Sequence, residues 1–384
     1  MILRTANIEL AQLSRQFKVV AVVGPRQSGK TTLVRSQFPS MTYVNFENPD
    51  IRLFATQDPR GILSNYKKGA IFDEIQRVPE IFSYLQQIVD EQNTMGQFIV
   101  TGSNNFLLQE NISQSLAGRV GYLFLLPLSL QEIKPIEITL NQLLYQGFYP
   151  SLYDNPNITP NKWYDNYIRT YIERDVRMIK NITDLLLFEK FVRLLAARIG
   201  QLLNMSNLAI EVGVDVKTIQ SWIGVLELSF VIFRLKPYHA NYNKRLVKMP
   251  KIYFFDTGLV CALLNINSSD DLQYHYIKGS LFENMIIIDF LKQRYNRGKN
   301  NNLFFWRDNT GNEIDLILDK FKPLPIEIKS GETVSESYFK GLYHWNKISG
   351  NQGGIVVYGG DTSFKKSDQY QLIAYHDIQD KVIE

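Results

Sequence analysis

Gly24-Pro25-Arg26-Gln27-Ser28-Gly29-Lys30-Thr31 is preceded by the apolar run Val19-Val20-Ala21-Val22-Val23 and followed by Thr32-Leu33-Val34-Arg35-Ser36-Gln37-Phe38. The order is strand, glycine-framed turn, helix, and it decides the fold: a P-loop opening a parallel α/β sheet. Glycines let the backbone curl so that its N–H groups point at phosphate oxygens. The helix that begins there adds the positive end of its dipole to the same anion site. Gly24, Pro25, Arg26, Gln27, Ser28, Gly29, Lys30, Thr31 and Thr32 are therefore the expected cradle for ATP. Lys30 is predicted to reach the β- and γ-phosphates, and the Thr31 hydroxyl to ligate Mg²⁺.

Downstream, Thr42-Tyr43-Val44-Asn45-Phe46 reads as a short strand. Ala70-Ile71-Phe72-Asp73-Glu74 is an apolar strand ending in two carboxylates, the companion that a P-loop ATPase needs. Asp73 is expected in the Mg²⁺ shell and Glu74 beside the water that attacks the γ-phosphate. The next strand, Gln97 to Thr101, ends at Gly102-Ser103-Asn104-Asn105. Asn104 or Ser103 is placed there to hydrogen-bond the γ-phosphate or the water, although Gly, Ser and Asn are also ordinary turn residues. Arg119 can bring positive charge to the transition state in its own subunit or a neighbour's, and a surface salt bridge suits it equally. A last strand runs from Gly121 to Leu126. Strands alternating with helices predict a parallel sheet covered on both faces, with nucleotide at the carboxyl ends of the strands.

A chain of 384 residues is long enough for more than one core, and its 45% hydrophobic and 21% charged residues are those of a globular protein. The single cysteine, Cys261, excludes an intrachain disulfide and suits a reducing compartment. The first residues lack the apolar core of a signal peptide, and the apolar stretches are strand-sized. A cytoplasmic protein without membrane insertion is expected. Charge is unevenly spread: residues 161–251 hold fifteen Lys or Arg against eight Asp or Glu, in a chain of net charge +4. Within that region 236–251 carries Lys236, Lys244, Arg245, Lys248 and Lys251 and no acid. Such a segment can track a phosphate backbone, or it can be a solvated loop or face an acidic neighbour.

In the middle of the chain, Met205 to Val214 and Asp215 to Glu227 read as two short helices around a glycine turn, followed by strand-like Phe230 to Leu235. That order predicts a winged helix-turn-helix, whose second helix carries Lys217, Thr218, Gln220 and Ser221. With one basic residue on it, sequence-specific readout has little support, and packing or protein contact is an equal role. From Tyr274 to Arg294 a long helix is expected, then strands Asn302–Arg307, Glu313–Leu318 and Leu324–Lys329, a helix from Ser335 to Lys347 and a strand Gly354–Tyr358. Asp315 interrupts its strand, while Glu327 and Lys329 alternate onto one face. Two carboxylates and a lysine can hold a divalent cation and activate water for phosphodiester cleavage, with Glu283 adding an acid from the helix. An exposed face with a plain Glu–Lys pair is the alternative.

Taken together, the chain resembles prokaryotic AAA-type ATPases with a carboxyl-terminal domain of uncharacterised function. The residues that carry the likeness are the P-loop, Phe72-Asp73-Glu74-Ile75-Gln76, Thr101-Gly102-Ser103, Leu116-Ala117-Gly118-Arg119, Tyr171 to Val176, Phe255-Asp256-Thr257-Gly258-Leu259 and Ile326-Glu327-Ile328-Lys329. The Gly-Gly-Tyr-Pro turn usual in such chains stands here as Gln146-Gly147-Phe148-Tyr149-Pro150. The resemblance implies ATP binding and hydrolysis, a winged-helix middle, and a last part similar to the PD-(D/E)xK nuclease fold with Asp315, Glu327 and Lys329 at its matching positions. Three domains are expected, 1–130, 131–270 and 271–384. The function expected is a Mg-ATP-dependent ATPase acting on or sensing nucleic acid. A nucleotide-controlled switch whose accessory domains bind protein, or an ATP-gated nuclease, is the alternative. DNA, a protein and a second copy of the chain are the candidate partners.

Overall fold

The computed structural model describes residues 2–103, 115–172, 184–238 and 249–382. Asn104, the Lys244, Arg245 and Lys248 charges, and Glu173 to Val176 lie outside them. The chain forms two compact units, one of Met1–Leu128, Leu228–Phe230 and Arg294–Asn300, the other of Ser129–Glu227, Val231–Gln293 and Asn301–Glu384.

The first unit is built on five parallel strands: β1 (Val19–Val23), β2 (Thr42–Asn45), β3 (Ala70–Asp73), β4 (Phe98–Gly102) and β5 (Val120–Phe124), in the order β2-β3-β4-β1-β5. Every residue of β1, β3 and β4 is buried, as expected for interior strands covered on both faces. Strand β5, at one edge, alternates between buried and half-buried. On one face α1 (Asn7–Gln16) and α2 (Lys30–Gln37) place Leu10, Leu13, Leu33 and Val34 against Val20, Val22, Ile71, Ile99 and Leu123. Helix α3 (Ile81–Gln92) precedes β4 and buries Ile81, Phe82, Leu85 and Val89. The sheet-and-helix architecture is the α/β fold expected from the sequence.

The second unit is organised by an eight-stranded mixed sheet. Its strands are β6 (Ile232–Pro237), β7 (Lys251–Phe254), β8 (Leu303–Arg307), β9 (Glu313–Leu318), β10 (Leu324–Lys329), β11 (Gly354–Tyr358), β12 (Phe364–Lys365) and β13 (Tyr370–Ala374). Their order is β12-β13-β11-β10-β9-β8-β6-β7. One sheet therefore runs through both the middle of the chain and its carboxyl-terminal part. Ahead of it come α4 (Met205–Val212) and α5 (Val216–Leu228), separated by Gly213 at φ +93°, a left-handed conformation that glycine adopts without steric cost. Helix α6 (Thr257–Leu263) follows β7, α7 (Lys278–Tyr295) follows that, and α8 (Lys340–Ser349) lies between β10 and β11. Strand β7 is at the sheet edge; its outer backbone pairs at Ile252 with Gly200 and Gln201, and at Phe254 with Asn284 of α7, Phe254 N donating to Asn284 Oδ1 at 2.7 Å and Asn284 Nδ2 to Phe254 O at 2.9 Å.

A buried polar knot explains two of the sequence motifs. The Asp256 carboxylate caps α6 by accepting from Leu259 N at 3.0 Å, and also accepts from Phe148 N at 2.7 Å and Tyr164 Oη at 2.5 Å. Burial raises its pKa, opposed by the Tyr164 bond and the Lys292 charge. Gly147, at φ +70°, and Gly258 leave room for this knot: a Cβ on Gly258 would stand 2.5 Å from the Tyr164 ring. Tyr164 cannot yield, because its hydroxyl is also held 3.0 Å from Gln146 O. Gly258→Ala is therefore expected to lower stability by about 1–3 kcal/mol, the usual cost of overpacking. Chemical denaturation checks this, and an unchanged midpoint would refute the packing argument.

Candidate functional site

The P-loop is shaped by close backbone contact. A Cβ on Gly24 would lie 2.0 Å from Leu125 O, so only glycine lets β1 end against this carbonyl. Gln27 at φ 63° and Gly29 at φ 90° are both left-handed, which turns successive amides toward one concavity, an anion nest. Arg4 braces the loop from below, donating to Ser28 O at 2.6 Å and Leu126 O at 2.7 Å. Lys30 is buried and folds over the turn, its Nζ 3.0 Å from Gly24 O and 2.7 Å from Pro25 O. The Ser28 hydroxyl is buried with no hydrogen-bond partner among the described residues, a donor available to a phosphate oxygen.

Asp73, at the end of β3, gathers three hydroxyls. Thr31 Oγ1 donates to its Oδ2 at 2.9 Å, Tyr43 Oη donates to the same oxygen at 2.6 Å, and Thr101 Oγ1 donates to Oδ1. Glu74 follows in a left-handed conformation, φ 55°, ψ 42°. A non-glycine residue there carries about 1–3 kcal/mol of strain, which proteins concentrate at functional positions. Its Oε2 accepts from Gln76 Nε2 at 2.7 Å and from Ser103 Oγ at 3.1 Å. The donor set fits Mg-ATP: loop amides, a lysine, and a hydroxyl and a carboxylate already in contact where a cation would share them. The structure thus brings Lys30, Thr31, Asp73, Glu74 and Ser103 together.

It does not bring Arg119 to them. That residue immediately precedes β5, whose Val120 pairs with Val19 at the start of β1. It lies at the opposite end of the sheet from the P-loop, roughly 16 Å away for five residues at about 3.3 Å each. There its Nε and Nη2 donate to the two oxygens of Asp90 on α3 at 2.7 and 2.8 Å. The residues that the sequence reading missed are Arg4, Tyr43 and Thr101. Tyr43 and Thr101 act across the sheet and Arg4 from the segment before α1, and only the hydroxyl at the tip of the apolar run ending in Thr101 was a local signal.

In the second unit Asp315, Glu327 and Lys329 converge as expected. Lys329 Nζ is 2.9 Å from Asp315 Oδ2 and 2.6 Å from Glu327 Oε2. Ile328 N donates to the same Asp315 oxygen at 2.8 Å. Burial, reinforced by the Asp315 charge, pushes the Glu327 carboxyl up to about 8. For Asp315 burial acts upward too, but Lys329 and Lys251 outweigh it and hold its pKa below the usual value. Glu283 is held separately, accepting from Tyr253 Oη at 2.5 Å and Lys251 Nζ at 3.2 Å, while the same ammonium pairs with Glu313. Lys251, which the sequence reading counted in the basic 236–251 segment, is a buried residue of β7 facing acids. Its neighbours Ile252, Tyr253 and Phe254 were the readable sign of a strand. Among the described residues no group of three or more His, Cys, Asp or Glu side chains is placed to hold a metal ion. As arranged, with two lysines occupying the carboxylates, these donors do not fit a metal.

A parallel sheet with a P-loop at β1 and acids at β3 defines a P-loop ATPase domain of AAA type. Residues 16–134 match the AAA domain family, 137–270 a domain of unknown function (DUF8612) and 278–378 a domain of unknown function (DUF4143). The chain belongs to the family of the uncharacterized protein Rv2008c of Mycobacterium tuberculosis, to which it is 32% identical over 339 residues, 87% of this chain and 75% of that one. The uncharacterized protein MJ1544 of Methanocaldococcus jannaschii is 23% identical over 346 residues, 81% of this chain and 74% of that one. Among solved structures, the Walker-type ATPase PABY2304 of Pyrococcus abyssi aligns over 68% of this chain and 95% of its own, at 12% identity and a TM-score of 0.47. Among the described residues no helix is long and apolar enough to cross a membrane.

Proposed function

We propose that the chain is a Mg²⁺-dependent ATPase that acts on or senses nucleic acid. The ATPase rests on one observation, the meeting of the P-loop residues Lys30 and Thr31, beyond β1, with Asp73 and Glu74, at the end of β3, through the Thr31–Asp73 hydrogen bond. Lys30 and the loop amides hold the β- and γ-phosphates, and Thr31 and Asp73 stand ready to ligate the cation. Bound Mg²⁺ would supply charge neutralisation on the phosphate oxygens. Glu74, steadied by Gln76 and Ser103, orients the attacking water and draws its proton. Asn104, one residue beyond Ser103, keeps its proposed contact to the γ-phosphate. For Arg119 the proposed role is in trans, toward the nucleotide of a second copy.

The nucleic-acid part of the proposal rests on chain order. Helices α4 and α5 around Gly213 lead into the antiparallel pair β6–β7, the sequence of elements in a winged helix-turn-helix. Lys217 and Gln220 are exposed on α5, and the segment joining the two strands carries Lys244, Arg245 and Lys248. In the proposed modular reading 1–130 is the motor, 131–270 the winged-helix module and 271–384 a nuclease-like module. The second reading is an ATP-gated nuclease at Asp315, Glu327 and Lys329, which would first require Lys329 to release the Asp315 and Glu327 carboxylates to a metal. The exposed Ile210 and Val216 on the helix pair favour a third, a switch that docks protein.

One experiment separates these readings: duplex DNA is added to wild type and Lys329→Ala at low and high salt, and ATP turnover and DNA length are followed. The proposal predicts DNA-stimulated turnover that fades as salt rises, because phosphate contacts release counterions. DNA that neither binds nor stimulates at low salt removes the nucleic-acid role. Cleavage by wild type, absent in Lys329→Ala, installs the nuclease.

A further inference from the structure

We infer that Tyr43 is a positioning residue for the Mg²⁺ ligand Asp73, an inference that rests on the Mg-ATP reading above. Asp73 ends β3, and the two strands that flank β3 each send it one hydroxyl. Tyr43 reaches in from β2 to Oδ2 at 2.6 Å, and Thr101 reaches in from β4 to Oδ1. A carboxylate held at both oxygens cannot rotate about its Cβ–Cγ bond, so the geometry it offers a cation is fixed before the cation arrives. Thr31 is also bonded to Asp73, but its hydroxyl is itself an expected ligand and would hold the cation beside that carboxylate. Tyr43 and Thr101 remain to hold the carboxylate.

Tyr43 is built for this task. The Arg35 guanidinium lies over the ring, 4.8 Å from its centroid. Arg35 stands one helical turn beyond Thr31 on α2, so the helix that carries one ligand also steadies the residue that orients the other. Tyr43 lines a cavity of about 500 Å³ with Thr31, Arg35 and Met41. Removing the hydroxyl therefore crowds nothing.

The test is Tyr43→Phe, which keeps the ring and its stacking, with Thr101→Val as an isosteric companion. ATP binding is titrated against Mg²⁺ by calorimetry, and turnover is measured across the same Mg²⁺ series. The expected result is unchanged affinity for ATP in EDTA, and a rise of about tenfold in the Mg²⁺ needed for half-maximal tightening and half-maximal turnover, the loss expected for one hydrogen bond to a charged group. A purely structural tyrosine would change stability and leave the Mg²⁺ midpoint in place. Wild-type midpoints in both variants overturn the inference. Wild type that binds Mg-ATP without turning it over defeats the hydrolysis reading alone, and the binding titration still decides Tyr43. Wild type that binds no nucleotide overturns both.

Discussion

Lys30→Ala is expected to abolish ATP turnover and to weaken nucleotide binding by about ten- to a hundredfold, the range for loss of a charge-assisted hydrogen bond. Lys30 is the buried cation at the mouth of the nest, and it already leans on Gly24 O and Pro25 O. With alanine there, the loop amides and the helix dipole remain, but the charge that follows the β- and γ-phosphates is gone. Circular dichroism controls for folding, since the two carbonyls that lose their donor belong to the buried residues Gly24 and Pro25. Turnover at the wild-type rate in this variant would remove the P-loop from the chemistry.

Glu74→Gln is expected to part binding from turnover: ATP affinity stays at the wild-type level while hydrolysis falls by about a hundredfold or more, as for loss of a general base. Glutamine keeps the length of the side chain and an oxygen for Gln76 and Ser103, so the change isolates the negative charge. The left-handed backbone of Glu74 points the same way, because strain at φ 55° persists where a side chain must be aimed. A near-wild-type rate would move the water-orienting role to another residue.

The nucleotide site was legible because its parts follow one another along the chain. Gly24 to Thr31 sits between an apolar run and a helix, and Asp73 and Glu74 end another apolar run, so short-range pattern was enough. Tyr43 and Thr101 were not legible as partners of Asp73, because that contact needs the order β2-β3-β4, which nothing local encodes. Arg119 shows the converse. Its charge is plain in the sequence, but which end of the sheet it occupies depends on the parallel pairing of β5 with β1.

In the second unit alternation placed Glu327 and Lys329 on one face, and β10 carries them so that both reach Asp315's neighbourhood. Burial was what alternation missed. Gly341 of α8 packs so closely that a Cβ there would fall 2.1 Å from Glu327 Oε1, so this face is covered by a helix. Lys251 was hidden by composition. Counted with its basic neighbours it could track phosphates, lie in a solvated loop or face acids, and it anchors Glu283 and Glu313 from a buried strand. A net-charge count treats every lysine alike, and only the apolar residues beside this one distinguish it.

The central claim is Mg²⁺-dependent ATP hydrolysis at the site formed by Lys30, Thr31, Asp73 and Glu74. The direct measurement is phosphate release by wild type and Glu74→Gln at saturating ATP, with and without Mg²⁺, with bound nucleotide quantified in the same samples. The account predicts release by wild type only when Mg²⁺ is present, and a Glu74→Gln protein that fills with ATP and scarcely turns it over. Equal rates in the two proteins, or release that ignores Mg²⁺, would contradict it.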